Sequence, residues 1–334
     1  MAPSLSVTAL LLAFTVLQGC EAMSAGFIQF MTDTYGATTA NSIARPDLCA
    51  GSNCFGSFGG GNNSVPQLTA KIPVLIIPDG SSGNPYSTST PIPWAGNYTG
   101  VRDAFFNQGY TESEVYAITW WDGLQLVNEK LKCDFTGQIR VAILAIAAYT
   151  QQPKVNVIGY CLGNLLARKA ILGGQCVDQS LNIGSAMTSY VNHYVSVGSP
   201  NYGSTFCGSI LFSSKPVCNS NNGYGLYYMV GSNCSMFRVK CMSDFLKDVN
   251  NNSNPPGYEG TTVNTIYATN DQLLGDAPCT APSGVCPAPG SPKHTGSVCA
   301  QAGANALAPS GSDPHYQTLV GATSIGLQVS IVMS

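Results

Sequence analysis

Short continuous apolar runs alternate with longer amphipathic ones through the middle of the chain. Pro73-Val74-Leu75-Ile76-Ile77 has the pattern of a strand buried on both sides, closed by Pro78-Asp79-Gly80. Residues 101 to 109 read as a helix, Glu114 to Thr119 as a strand, and Phe135 to Tyr149 as a long helix with an apolar face. Val155 to Ile158 then reads as a strand, followed by a sharp glycine-flanked turn and a helix from Leu162 to about Leu172. Tyr194 to Val197 and Val263 to Ala268 add two more strands. Strands that alternate with helices predict an α/β fold: a mostly parallel central sheet with helices on both faces.

The flanks read differently. An apolar run from Val7 to Val16, followed by small and polar residues, predicts a secretion signal over residues 1–22, removed after Gly19 or Ala22. The run is too short to span a bilayer. Leu17-Gln18-Gly19-Cys20 also touches the pattern of a bacterial lipoprotein signal. Residues 23–70 read as a Gly/Ser-rich N-terminal arm, with a loop at Gly56 to Asn63 and with Cys49 and Cys54 stapling it to the body. The main domain is expected over 71–334. Within it periodicity dissolves at about 199–260, where Cys207, Cys218, Cys234 and Cys241 lie among Gly, Ser and Asn. That composition predicts a disulfide-rich, cap-like insertion. Thr, Ser and Gln interrupt the apolar tail from Val320 to Met333, which suits a packed terminal element better than an anchor, so no transmembrane segment is expected.

Composition sharpens this picture. The 334 residues include 36 Gly, 20 Pro and only 9% charged residues, with a formal charge of −3. No basic stripe suggests nucleic acid as a partner. Thirteen cysteines without a paired C-x-x-C arrangement point to disulfides and an extracellular, secreted location. Sequons at Asn62, Asn97, Asn233 and Asn251 would accept glycans in a eukaryotic secretory pathway. Three histidines, none at metal-ligand spacing, give no zinc site, and no cofactor is implied.

The candidate chemistry lies in Val155-Asn156-Val157-Ile158-Gly159-Tyr160-Cys161-Leu162-Gly163. A strand running through Gly-x-Cys-x-Gly into a helix is the context of a nucleophile elbow, in which Gly159 and Gly163 permit the tight turn and Cys161 stands exposed above the sheet. The helix N-terminus favours negative charge on sulfur, and the Leu162 N–H would be an oxyanion donor. The alternative is a strand–turn–helix with a buried structural cysteine. Loss of Cys20 with the signal leaves twelve cysteines, so complete pairing would place Cys161 itself in a disulfide.

The chain resembles the class 2 triacylglycerol lipases, as represented by nematode-type secreted lipase-related proteins. Val157 to Gly163 carries the resemblance, with Ala167-Arg168-Lys169-Ala170-Ile171-Leu172-Gly173-Gly174, Cys176-Val177-Asp178, Val195 to Asn201 and Ile266 to Gln272, across about residues 55 to 330. The resemblance implies an α/β-hydrolase fold, secretion, and a lipid or other acyl-ester substrate met at a transient lipid interface. In that fold the order is nucleophile, acid, histidine. His315, on a loop before the last element, matches the family's C-terminal histidine, with His294 as its rival and His193 set aside beside a strand. Asp271, after the Val263–Ala268 strand, is the orienting acid, with Asp276 as its rival.

Two departures stand out. Cys161 replaces the family's serine, and the family's His-Gly after the first strand is absent from Ile77-Pro78-Asp79-Gly80-Ser81. Ser81 is the candidate second oxyanion donor, and Asp79 either faces the site or caps the turn. Three functions follow: lipid-ester or thioester hydrolysis through Cys161, His315 and Asp271; an inactive homologue that binds lipid or a protein partner; or a scaffold with Cys161 in a disulfide.

Overall fold

A computed structural model describes residues 22–50, 53–54, 56–79, 98–121, 129–201, 203, 207, 214–223, 243–251, 253–271, 274, 304–310 and 313–334. Its centre is a six-stranded sheet of β3 (Val74–Ile77), β4 (Val115–Ala117), β5 (Val155–Tyr160), β6 (Val191–Val197), β7 (Thr262–Ala268) and β8 (Ala304–Leu307). The strand order is β4-β3-β5-β6-β7-β8, and every pairing is parallel. Because the chain runs from β3 outward to β4 and then returns to β5 on the other side of β3, the order reverses between β3 and β5. In open α/β sheets the crevice beyond the strand ends at such a reversal is where ligands bind.

Each central strand buries both faces, which explains its unbroken apolar sequence. Side chains alternate between two cores. Leu75, Ile77, Val155 and Val157 face α4 (Cys133–Tyr149) and α5 (Cys161–Leu172). Val74, Ile76, Ile158 and Tyr160 face α3 (Thr99–Phe106) and α8 (Ala322–Val332). The predicted α/β-hydrolase architecture is therefore present, with β5 in the middle and directly continuous with α5.

Residues 23–70 are more than an arm. They hold α1 (Ala25–Tyr35), α2 (Ala37–Ala44) and a two-stranded hairpin of β1 (Cys49–Ala50) and β2 (Asn53–Cys54). The Ser24 side chain caps α1 by accepting from the Phe27 N–H at 3.2 Å. Phe27 and Met31, one turn apart, are fully buried, and the Phe27 ring lies 5.2 Å from Tyr116 and 5.0 Å from Tyr149. The i, i+4 apolar pair was readable, but the surrounding Thr and Gly residues masked it.

The described stretches of the expected cap also belong to the body. Val217, Cys218, Tyr258 and, on α6 (Asp244–Val249), Phe245, Leu246 and Val249 share the core of α4 and α5. Disulfides join Cys133 to Cys176 and Cys207 to Cys218, and Cys49 is also disulfide-bonded. Cys234 and Cys241 lie outside the described residues, as do the signal segment up to residue 21, Asn97, Asn233, His294 and Asp276. No helix among the described residues is long and apolar enough to cross a membrane. The tail forms α8, packed through Val329, Ile331 and Val332.

Candidate active site

Cys161 follows β5 immediately and begins α5 with φ = 43°. A non-glycine residue at positive φ costs roughly 1–2 kcal/mol, and such strain persists only where the surroundings impose it. The two flanking glycines are part of that imposition. A Cβ on Gly159 would lie 2.7 Å from the Asn164 Cα, and one on Gly163 would run into the Pro78 carbonyl oxygen at the end of β3. The elbow thus wedges α5 against β3, with no room for side chains at either glycine.

From below, hydrogen bonds hold the same turn. Ser199 Oγ donates to the Cys161 carbonyl at 2.9 Å, and Asn164 Nδ2 donates to Ser199 Oγ at 2.7 Å and to Asn201 Oδ1 at 2.9 Å. Tyr194 Oη donates to Asn164 Oδ1 at 2.6 Å. Sequence reasoning assigned no role to Ser199 or Asn164. The only sign was that Asn164 follows Cys161 by three residues and Ser199 lies in the glycine-marked turn after β6.

No side chain caps the N-terminus of α5. The first-turn N–H groups of a helix, Leu162 among them, have no acceptor within the helix and carry partial positive charge. Such donors suit an anionic oxygen formed beside Cys161. The other candidate donor, Ser81, lies outside the described residues.

His315 and Asp271 meet Cys161 at the strand ends. Asp271, past β7, is buried, and its Oδ1 accepts from the Leu274 N–H at 2.9 Å. His315, in the first turn of α7 (Pro314–Val320), places Nδ1 2.6 Å from Asp271 Oδ2. An ionised carboxylate only accepts, so Nδ1 carries the proton and the other ring nitrogen is left for the Cys161 thiol, with which the ring is hydrogen-bonded. Gly198 gives this ring and its helix room: at φ = 51°, its Cβ would meet Leu319 at 2.7 Å and His315 Cε1 at 3.7 Å. The sequence did not single out Gly198.

Burial pulls His315 down, but the charge and hydrogen bond of Asp271, aided by Cys161, outweigh it, and the imidazole titrates well above its ordinary 6.5. Burial pushes the Cys161 thiol above its ordinary 9.0; His315 draws it partly back, whereas the negative charges of Asp79 and Asp271 add to the rise. Cys161 is a free thiol, so the scaffold reading with Cys161 in a disulfide does not hold in this structure. His193 lies within β6, with Nδ1 2.6 Å from Thr262 Oγ1, in a purely local contact.

Asp79 faces inward. It is buried, its N–H donates to Tyr98 Oη at 3.4 Å, and Tyr98 Oη donates to its Oδ1 at 3.3 Å. Cys133, Cys176 and Asp178 cluster closely enough to suggest metal ligands. The two sulfurs are joined, however, and Asp178 Oδ2 accepts from the Cys133 N–H at 3.2 Å, so the grouping is structural.

A family model described as lipase (class 2) matches residues 71–301. The chain belongs to the class 2 lipase family. Among solved structures, this class 2 lipase-family chain is similar to the mature lipase BlEst2 of Bacillus licheniformis, at 13% identity and a TM-score of 0.43, covering 83% of this chain and 98% of that one. It is also similar to a lipase-esterase related protein from Clostridium acetobutylicum, at 9% identity and a TM-score of 0.38, covering 82% and 97%. Aspergillus fumigatus lipase B matches at 14% identity and a TM-score of 0.36 over 71% of this chain, which spans 46% of that lipase. No curated protein sequence matches the chain significantly. Family membership makes the chain a lipase-like hydrolase in class, with a cysteine at the elbow.

Proposed function

We propose that this protein is a secreted hydrolase that cleaves carboxylic esters of lipids by acyl transfer through Cys161, His315 and Asp271. The observation that carries the proposal is the hydrogen-bonded chain from the strained elbow cysteine through His315 to buried Asp271, in a lipase-family sheet. In its neutral form, His315 takes the thiol proton as sulfur bonds to the ester carbonyl carbon, and the carbonyl oxygen becomes an oxyanion beside the Leu162 N–H. In this reading the Ser81 N–H is the second donor. As the C–O bond breaks, His315 returns the proton to the departing alcohol, leaving a thioester on Cys161. Water, deprotonated by His315, then attacks the thioester, giving the carboxylic acid and the restored thiol. Asp271 holds the imidazole in its working tautomer throughout.

Secretion rests on the leading apolar run, on a signal we place over residues 1–22, and on the disulfides. Asn62 and Asn251 are exposed, as glycan acceptors must be. Asp79 favours a second reading, a lipid-binding homologue without turnover, because a carboxylate beside the nucleophile opposes an oxyanion.

The test is ester turnover by the secreted wild type beside Cys161→Ser and Cys161→Ala, with short and long acyl chains. Activity in wild type that vanishes in Cys161→Ala is expected. Silence in wild type with activity in Cys161→Ser would mean a lipase site disabled at one atom. Silence in all three folded proteins would leave lipid binding as the function.

A further inference from the structure

The helix that presents His315 and the strand that ends at the elbow are tied together by one side chain. Like every helix, α7 ends in carbonyls that have no partner within it. Two residues of α8 supply those partners from across the turn. Ser324 Oγ donates to Thr318 O at 2.5 Å, and Gln328 Nε2 donates to Leu319 O at 2.9 Å. The same Nε2 donates to Ser324 Oγ at 3.0 Å, so the two braces support one another. The other end of the amide points to the sheet, where Gln328 Oε1 accepts from Tyr160 Oη. Tyr160 is the last residue of β5 and immediately precedes Cys161.

Gln328, Ser324, Thr318 and Tyr160 are all buried, in a core otherwise built from residues such as Ile158, Val197, Leu319 and Val329. An amide is a costly choice there unless it is hydrogen-bonded, and a methionine or leucine would fill the space without that demand. Apolar contacts set how closely two elements approach but let them slide. A satisfied polar network fixes direction and length as well. Here it fixes the offset between the elbow and α7. Thr318 extends the line towards the site, its Oγ1 donating at 2.8 Å to the carbonyl of Pro314, the residue before His315.

We propose that Gln328 is a positioning residue of this site: by holding Tyr160 and the end of α7 in one bonded frame, it keeps the His315 imidazole within hydrogen-bond reach of the Cys161 thiol. It acts through Tyr160 and α7, and the proposal rests on the reading of Cys161 and His315 as nucleophile and base. The tolerance it guards is small. A displacement of about 1 Å takes a hydrogen bond out of its working range, and misplacement of that size can cost about a hundredfold in rate.

The test is alkylation of the folded full-length protein by iodoacetamide across a pH series, read as mass gain on the Cys161 peptide, with Tm recorded for each variant. His315 offsets part of the rise that burial imposes on the thiol, so a loosened imidazole shows as a higher alkylation midpoint. Gln328→Met, similar in length but without the amide, is expected to raise the midpoint by about one pH unit, or to slow alkylation about tenfold at neutral pH. Added to His315→Gln, it should raise the midpoint no further, because the contact it supports is already gone. A purely structural role would lower Tm and leave the midpoint in place. That result overturns the proposal, as does a further rise in the double variant. If Gln328→Met does not fold, Tyr160→Phe cuts the same link from the elbow side, spares the bonds to α7, and must move the midpoint in the same direction. Because alkylation needs no turnover, a raised midpoint in a protein without ester hydrolysis would uphold the positioning role and defeat the hydrolase reading. Hydrolysis with an unmoved midpoint would do the reverse.

Discussion

The two ends of α5 handle buried charge in opposite ways. Along its body, Arg168 is fully buried, and its guanidinium donates to Glu259 at 3.0 Å, to Asn250 at 3.0 Å and to the Val249 carbonyl at 3.0 Å. Next to it Lys169 Nζ donates to Gly173 O and Gln175 O at 2.8 Å and to Asp248 Oδ2 at 2.6 Å. Here positive charge meets acceptors on all sides. At the helix N-terminus, the His315 imidazole meets the Cys161 thiol on one side and the buried Asp271 carboxylate on the other. The first arrangement is what a buried charge requires in order to persist, and it holds α5 to α6 and to the turn before β7. The second gathers titratable groups in one buried crevice, the pattern in which perturbed titration is expected.

Breaking the first region should give the largest effect. Arg168→Met takes the guanidinium away from buried Glu259 and should destabilise the protein by about 3–5 kcal/mol, read from denaturant unfolding. Arg168→Met with Glu259→Gln should recover part of that loss. A double variant no better than the single would mean that the pair is not coupled.

A smaller effect is expected where the two regions join. Ser199→Ala removes the donor to the Cys161 carbonyl and an acceptor for Asn164, at a cost of about 1–2 kcal/mol. Because the turn at Cys161 is strained, the alkylation rate of Cys161 should change in the same variant. A stability loss with an unaltered rate would separate the network from the site.

The smallest effect concerns pH. His315 titrates above its ordinary value when folded, so its pairing with Asp271 contributes stability fully below that ordinary value of 6.5. The contribution fades as pH rises through the folded value. The Tm gap between wild type and His315→Gln should therefore be widest at about pH 6 and narrow in alkali. A gap that widens with pH would reverse the assignment.

Much of the scaffold was legible because parallel strands buried on both faces leave continuous apolar runs, as Val74–Ile77 and Val155–Tyr160 do. The strand–Gly-x-Cys-x-Gly–helix sequence made the elbow readable, and chain order pointed to Asp271 and His315, whose side chains do meet. By contrast, β8 and α6 went unseen. Ala304–Leu307 is short and carries an Asn, and Asp244–Val249 is under two turns long, so neither has enough residues to establish a period.

Read alone, the sequence established the family, the α/β layering and the position of the elbow cysteine. Each of these depends on local periodicity or on a contiguous motif. Tertiary structure alone decided that Asp79 looks inward, that Ser199 and Asn164 brace the elbow, and that α1 and α2 close the core. Those facts depend on which strand ends become neighbours, and hydrogen bonds and charge act through a few ångströms of space between residues far apart in the chain.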